Sequence, residues 1–286
     1  MKATTSAVSP AASSVAVAVP IYTLRLRESE RAALRNTLTV LSGRSVVLVA
    51  PEGLDLSALP RLLGVDTVWA VERFAPHFFN GREGYNRLMT DAAFYGRFAS
   101  SGYHWMLVCQ TDVWLFADDL SRWCAAAYDY VGAPWLPARA EVEGFYPLHR
   151  LVYALRRRSG SGTAARKWQV GNGGLSLRRV AVMADVARRH ADDIARICRT
   201  ERGAAGFEDV FWGVEANRLE AGAVRVAPWR EALAFSVESH PDYALRLLDG
   251  NLPMGTHAYA RTRNARHWRA IIPREAFDTR FIQRQE

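Results

Sequence analysis

Short apolar runs alternate along the chain with polar segments that carry an apolar residue at every third or fourth position. The run at 103–109 contains no Gly or Pro and is apolar almost throughout, which is typical of a strand covered on both faces. Strands that alternate with helices at this spacing predict βαβ units, and therefore an α/β fold with a mostly parallel central sheet flanked by helices. The predicted strands are 15–22, 45–50, 66–71, 103–109, 128–135, 175–177 and 224–227, and the predicted helical segments are 27–41, 55–59, 85–98, 179–190 and 228–235.

Polar residues follow the buried run at 103–109 directly. Gln110, Thr111 and Asp112 stand where this strand ends. Ligands of open α/β sheets bind at the carboxyl ends of the strands, so a carboxylate here is a candidate ligand-binding group. The alternative is that Asp112 serves only as a turn or helix-capping aspartate.

A second candidate segment lies at 168–178, where three glycines surround Asn172. Such a backbone can be approached closely by a ligand. Glu208 and Asp209 then begin a predicted helix. Acids at a helix start also stabilise the helix dipole, so this pair alone does not require a catalytic role.

Composition narrows the class of protein. The chain has 286 residues, enough for one large α/β domain or two small ones, and no apolar run approaches the roughly 20 residues of a membrane span. Three scattered cysteines favour a reducing cytoplasm, and residues 1–14 are predicted to be a disordered tail. Dinucleotide-binding and P-loop motifs are absent from the sequence.

The net charge of +8 comes almost entirely from arginine, since Lys2 and Lys167 are the only lysines. A basic surface suits nucleic acid, anionic lipid or a nucleotide-sugar. The sequence shows no nucleic-acid-binding motif, so we expect no nucleic-acid partner.

The region 136–166 is predicted to be a basic insertion, with an amphipathic helix at 148–158. Such a helix either rests peripherally on the inner face of a membrane or packs its apolar stripe on the domain, and we favour packing. The segment 261–286 is an Arg-rich extension of a domain predicted to span 15–260.

Eight motifs occur in a characteristic order along the chain: VAVAVPIY, VAPEGLD, GYNRLM, QTDVWLF, YDYVGAPW, VGNGGLSLR, FEDVFWG and LPMGTHAY. The series resembles a bacterial family of glycosyltransferase-like proteins, catalogued mainly as a domain of unknown function. The later motifs resemble those of inverting enzymes with the GT-A fold, such as the β-1,3-galactosyltransferase/fringe group and the β-1,4-galactosyltransferases. The resemblance implies a GT-A nucleotide-diphospho-sugar transferase fold.

The resemblance also implies a metal site. Asp112 matches the last acid of the DxD motif, while Gln110 replaces the first acid, and His257 matches a late histidine that completes the site. These residues are expected to hold Mn²⁺ or Mg²⁺ against the donor diphosphate. Because only one carboxylate remains, a metal-independent enzyme that uses arginines stays open.

The remaining roles are assigned by the same resemblance and by chemistry. Asp209 matches the catalytic base, with Glu208 as the alternative. Donor contacts are expected from Tyr22, Arg87, Gln110, Thr111, Asp112, Gly173 and Gly174, and acceptor contacts from Trp135, Asn172 and Trp212. The implied function is transfer of a sugar from a nucleotide-diphospho-sugar, such as a UDP-sugar, to a glycan or lipid-linked acceptor with inversion. The alternative is a non-catalytic carbohydrate- or nucleotide-binding protein of the same fold.

Overall fold

A computed structural model of the chain describes residues 15–67, 69–138, 166–200 and 207–278, with the side chains of 198–200 excepted. The predicted tail, the predicted helix at 148–158 and the last eight residues lie outside the described residues. Among the helices that are described, none is long and apolar enough to cross a membrane.

Within the described residues, nine strands form two sheets. The strands are β1 Val15–Pro20, β2 Ser45–Pro51, β3 Ala70–Phe74, β4 Trp105–Cys109, β5 Val113–Leu115, β6 Tyr130–Gly132, β7 Leu175–Arg179, β8 Ser236–Val237 and β9 Gly255–His257. The large sheet has the order β3-β2-β1-β4-β7-β6, and the small sheet has the order β5-β9-β8. In the large sheet β7 runs antiparallel to both of its neighbours, while the other five strands share one direction. This confirms the predicted α/β class with a mostly parallel central sheet.

Helices flank the large sheet. They are α1 Glu28–Val40, α2 Leu59–Leu63, α3 Gly81–Met89, α4 Ala92–Ser100, α5 Leu120–Ala125, α6 Val180–Arg189, α7 Ala191–Thr200, α8 Glu208–Val210, α9 Ala216–Leu219, α10 Trp229–Phe235, α11 Pro241–Leu247 and α12 Thr262–Trp268. A π-helical turn, Phe211–Glu215, joins α8 to α9. Short 3₁₀ helices lie at Pro76–Phe79 and Arg274–Ala276.

The main core lies around the central strands. All residues of β1 and β4 are buried, as expected for strands covered on both faces. A second buried cluster joins α1 to the segment 259–278, and its centre is Trp268, which is fully buried. The Asp278 carboxylate accepts hydrogen bonds from the backbone N–H and hydroxyl of Ser29, so the described part of the predicted extension packs directly on the domain.

The free edge of β5 is met by a side chain from α1. The amide group of Asn36 donates to the Leu115 carbonyl at 3.1 Å, and its oxygen accepts from the Leu115 N–H at 2.8 Å. Asn36 thus supplies both hydrogen bonds that a neighbouring strand would make at this residue.

Five predicted elements were wrong in their bounds. The strand predicted at 128–135 covers only Tyr130–Gly132. The third strand occupies Ala70–Phe74 rather than 66–71, and a helix at Leu59–Leu63 replaces the predicted turn at 55–59. The predicted helix at 85–98 is two helices, because Asp91 starts α4 by accepting a hydrogen bond from the Ala93 N–H. The segment 224–227 forms only an isolated bridge between Val226 and Tyr130.

Candidate active site

A cavity of about 450 Å³ opens where β4 and β9 end and where β7 and α8 begin. This is the edge of the sheet where ligands of α/β proteins bind. Acidic side chains and His257 lie in its walls together with four basic side chains. We call it the catalytic cavity.

Pairing of the small sheet brings Asp112 and His257 together. Val113 is opposite His257 in the β5–β9 pair, and the Ala258 N–H donates to the Asp112 carbonyl at 2.9 Å. As a result, His257 Nε2 lies 3.1 Å from Asp112 Oδ1 and 3.1 Å from Gln110 Oε1. The other ring nitrogen, Nδ1, lies 3.4 Å from Glu238 Oε1.

This arrangement favours an imidazolium between two carboxylates. Burial alone would lower the pKa of His257, but Asp112 and Glu238 outweigh it and raise that pKa to about 10. Burial alone would raise the pKa of Asp112, and the charge of His257, followed by Arg261, instead lowers it to about 2.

Gly173 and Gly174 leave room for two of these side chains. A Cβ on Gly174 would lie 2.4 Å from His257 Nε2, and a Cβ on Gly173 would lie 1.5 Å from Glu208 Oε1. Any side chain at these positions would therefore displace a group that lines the cavity. Both glycines line the cavity as well.

Glu208 is held from beneath the cavity by Arg178, which is fully buried on β7. The guanidinium donates to Glu208 Oε1 at 3.2 Å, to the Tyr95 hydroxyl at 2.8 Å and to the Ser176 hydroxyl at 3.0 Å. It also lies 2.9 Å from Glu208 Oε2 as an ion pair. Burial raises the pKa of Glu208 above its ordinary value, although Arg178 opposes this. Both carboxylate oxygens of Glu208 face this guanidinium.

Asp209 is the more accessible member of the acidic pair. Its oxygens accept hydrogen bonds from the backbone N–H groups of Asn172, at 3.0 Å, and Val210, at 2.9 Å. Burial raises the pKa of Asp209, and the charge of Glu238 raises it further. These contacts fix its position without using any cation, so it suits proton acceptance from a bound hydroxyl.

Several residues of the cavity were missed by the sequence analysis. Glu238, which follows β8 directly, could have been noticed as an acid at a strand end. Arg82, Arg166, Lys167 and Arg261 also line the cavity, and Arg261 lies 3.8 Å from Asp112 Oδ2. Nothing in the local sequence distinguishes these four from the many other basic residues.

Only some of the other residues predicted from the sequence line the cavity. Trp135 and Asn172 line the cavity, whereas Thr111 does not. Tyr22 is 40% exposed, and its ring meets that of Phe79 edge-on at 5.6 Å. Its ring also lies 6.3 Å from that of Tyr85, which lines the cavity, so Tyr22 stands beside the site without lining it.

Two predicted contacts do not fit the structure. Arg87 lies outside the catalytic cavity and pairs with Glu83 at 2.5 Å on the surface of α3. Trp212 is fully buried, and its indole N–H donates to the Met89 carbonyl, so it has no surface to offer an acceptor. Trp212 is a core residue that only follows the acidic pair in sequence.

Comparison with known families assigns the chain. The family described as "Protein of unknown function (DUF5672)" matches residues 68–257, which is more than half of the chain. The chain belongs to the DUF5672 family. No curated protein matches the sequence.

Solved structures show the fold of this DUF5672 protein. The match with mouse xyloside xylosyltransferase 1 covers 85% of this chain and 97% of the xylosyltransferase chain. Its TM-score is 0.51, and the sequence identity is 9%. The GlyE glycosyltransferase of Streptococcus pneumoniae TIGR4 (TM-score 0.48, 11% identity) covers 88% of the chain, which spans only 56% of GlyE. An active-site mutant of LgtC (TM-score 0.49, 12% identity) covers 94% of each chain. The similarity to xyloside xylosyltransferase 1 confirms the predicted GT-A fold.

The predicted metal site can be tested on the donor atoms of the DUF5672 chain. Among the described residues, no group of three His, Cys, Asp or Glu side chains is arranged to hold a metal ion. Glu238 cannot join Asp112 at one ion, because the two acids contact different nitrogens of His257. With Gln110 included, however, two oxygens lie 3.1 Å from Nε2, and neighbouring ligands of an octahedral ion with bonds of about 2.1 Å are about 3 Å apart. The distances from His257 Nε2 to Gln110 and to Asp112 are therefore those expected between neighbouring ligands of a Mg²⁺ or Mn²⁺ ion.

Proposed function

We propose that this protein is a glycosyltransferase that moves a sugar from a nucleotide-diphospho-sugar to a hydroxyl group of a glycan or lipid-linked acceptor, with inversion. The observation that carries the proposal is that Asp209, Gln110 and His257 line one cavity, while Asp112 contacts His257 beside it. A base and a diphosphate-binding group are the two requirements of this reaction.

Asp209 is assigned as the base. It accepts the proton of the acceptor hydroxyl while that oxygen forms a bond to the anomeric carbon. The bond between the anomeric carbon and the diphosphate breaks, and its electron pair leaves with the diphosphate oxygen. One displacement of this kind inverts the anomeric centre when base and leaving group lie on opposite faces of the sugar.

The charge of the leaving diphosphate has two sources of compensation. Gln110, Asp112 and His257 would hold a divalent cation, with the proton of His257 displaced. When bound, such a cation acts as a Lewis acid towards the phosphate oxygens. Arg261, beside Asp112, and Arg82 supply positive charge of their own.

Glu208 is assigned to binding rather than to proton transfer. Its oxygens face Arg178, and its 4% exposure leaves little access for an attacking hydroxyl. We expect it to hold in place the wall of the cavity against which the sugar binds.

The test is a panel of nucleotide-sugars and nucleotide diphosphates, with and without Mn²⁺, read by thermal shift and by product formation. Ligand at 100 times its dissociation constant should stabilise the protein by about 2.7 kcal/mol. Asp209→Asn should lose transfer by at least about 100-fold, the typical contribution of a general base, and keep nucleotide binding. Asp112→Ala should lose the Mn²⁺-dependent part of the stabilisation.

Asp66→Asn, which removes a charge from an exposed loop residue, is the matched control and should behave as wild type. Transfer that persists in Asp209→Asn would remove Asp209 as the base. Nucleotide binding with no sugar transfer to any acceptor tested and no hydrolysis of the donor would favour the non-catalytic alternative.

A further inference from the structure

A second cavity, of about 440 Å³, lies between the start of α11 and one face of α12. Its wall on α12 consists of Arg263, Arg266 and His267, which are spaced three and four residues apart and so share one helix face. The opposite wall carries His240 and Asp242. We call it the basic cavity.

Positive charge predominates in the lining of the basic cavity. Neither Arg263 nor Arg266 forms an ion pair within the described ranges, and both are exposed. The one acid in the lining, Asp242, lies 3.5 Å from Arg246, which is outside the cavity. The basic cavity therefore presents two guanidinium groups with uncommitted donors.

The basic cavity and the catalytic cavity share their supporting segments. Glu238 lines the catalytic cavity while the next residue, Ser239, lines the basic cavity. Likewise, Arg261 lines the catalytic cavity, and Arg263, two residues later, lines the basic cavity. Asn264, which is buried, donates to the carbonyls of Glu238 at 2.6 Å and Ala258 at 3.1 Å, and so ties these segments together.

The donors of the basic cavity suit phosphate. Guanidinium groups bind phosphate and carboxylate oxygens through paired hydrogen bonds. Two guanidinium groups offer more donors than the two oxygens of one carboxylate can use, whereas a phosphate monoester has three free oxygens.

We propose that the basic cavity binds a phosphate group carried by the acceptor, so that the acceptor spans from Arg263 and Arg266 to Asp209. The assignment to the acceptor rests on the proposed function, which places the donor diphosphate beside Asp112 and Arg261. The acceptor would then be a phosphorylated or phosphate-linked sugar.

The test titrates the full chain with glucose 1-phosphate, inorganic phosphate and glucose by isothermal calorimetry at low ionic strength. Glucose 1-phosphate should bind at least tenfold more tightly than either of the other two. Arg263→Gln combined with Arg266→Gln should weaken that binding at least tenfold. The control, Arg61→Gln combined with Arg274→Gln, removes two exposed arginines elsewhere and should leave the binding unchanged.

Unchanged binding in the Arg263/Arg266 variant would overturn the site. Equal affinity for inorganic phosphate and glucose 1-phosphate would overturn the assignment to an acceptor, since the cavity would then select only the free ion. Nucleotide diphosphates with Mn²⁺, titrated into the same variant, should bind as they do to wild type. Absence of nucleotide binding in wild type would overturn the proposed function alone, because that titration does not involve Arg263 or Arg266.

Discussion

At the scale of single residues, the glycine-rich segment is explained by the side chains that pack on it. Gly173 lies against Glu208, and Gly174 lies against His257, at distances that exclude a Cβ. The segment therefore belongs to the construction of the cavity, in addition to any approach of a ligand to its backbone.

Substitution of Gly173 by Ala should displace Glu208 from its place against Arg178. We expect a loss of about 1–3 kcal/mol in the free energy of unfolding, typical of an overpacked site, together with reduced transfer. Urea denaturation measures the first effect. Gly96→Ala is the control: Gly96 lies in α4 with open space around its Cβ position, and Ala should stabilise the helix by about 0.5–1 kcal/mol. A Gly173→Ala protein as stable as wild type would contradict this account.

The pair of Arg178 and Glu208 should be strongly coupled. Arg178→Met leaves a buried carboxylate without its cation and should cost about 3–5 kcal/mol of stability. Addition of Glu208→Gln should recover part of that cost, so a double-mutant cycle should give a clear interaction energy. Arg188→Met, which removes an exposed partner of Asp185, should cost less than about 1 kcal/mol. Additive effects of the two core substitutions would show that the carboxylate does not depend on the cation.

At the scale of elements, the reversal of β7 assembles the site. Because β7 runs antiparallel to β4, the segment before β7 reaches the edge at which β4 ends, and the Gln110 N–H donates to the Gly174 carbonyl at 2.9 Å. The sequence predicts β7 as a strand, but its direction depends on a pairing between residues far apart in the chain.

The degree of burial of each strand explains which strands could be predicted from the sequence. Strands β1 and β4 are buried throughout and β2 is buried at its centre, so their apolar runs are continuous and were predicted to within two residues at each end. β3 is an edge strand with the partly exposed sequence AVERF, which has no such run. The break between α3 and α4 depends on a single cap at Asp91, which hydrophobic spacing does not reveal.

The candidate site was predictable only where chemistry is concentrated in a motif. Asp112, Asp209 and His257 stand in recognisable motifs, and the structure places all three in or beside one cavity. Arg261 and Glu238 reach the same cavity through tertiary packing. Trp212 and Arg87 were wrongly predicted to belong to the site. Both are close in sequence to residues of the site, but Trp212 lies in the core and Arg87 lies on the surface of α3.

The cap of α4 offers a test at this scale. Asp91→Ala removes the side-chain acceptor for the Ala93 N–H and should lower stability by about 1 kcal/mol. Asp91→Asn keeps an oxygen acceptor and should be nearly neutral, because Asn and Asp cap helices equally well. Thermal unfolding of both variants distinguishes loss of the cap from loss of the charge.

At the scale of the whole molecule, the second core cluster joins the segment 259–278 to α1. The Tyr259 hydroxyl lies 2.8 Å from the Ser29 carbonyl and 2.7 Å from that of Ala276, close enough to donate to either. Trp268 packs its ring 5.4 Å from that of Phe116. The segment that supports both cavities is thus fixed to α1.

Disruption of the second core cluster should lower the stability of the protein substantially. Trp268→Ala should lower the free energy of unfolding by about 3–5 kcal/mol, as expected for a large aromatic removed from a core. Ile271→Ala, only three residues away but at a position that is 40% exposed, should change stability by less than about 0.5 kcal/mol. Similar losses in the two variants would mean that the second cluster is not a true core.

The contact between Asn36 and Leu115 has a consequence for how copies of the protein meet one another. An edge strand with unpaired backbone groups is a template on which another chain can add a strand, and this is a common route to aggregation. The Asn36 amide already occupies the N–H and the carbonyl of Leu115. Three-residue β5 therefore offers little of its edge for recruitment, and the small sheet that carries Asp112 and His257 is protected on this side by one amide from a neighbouring helix.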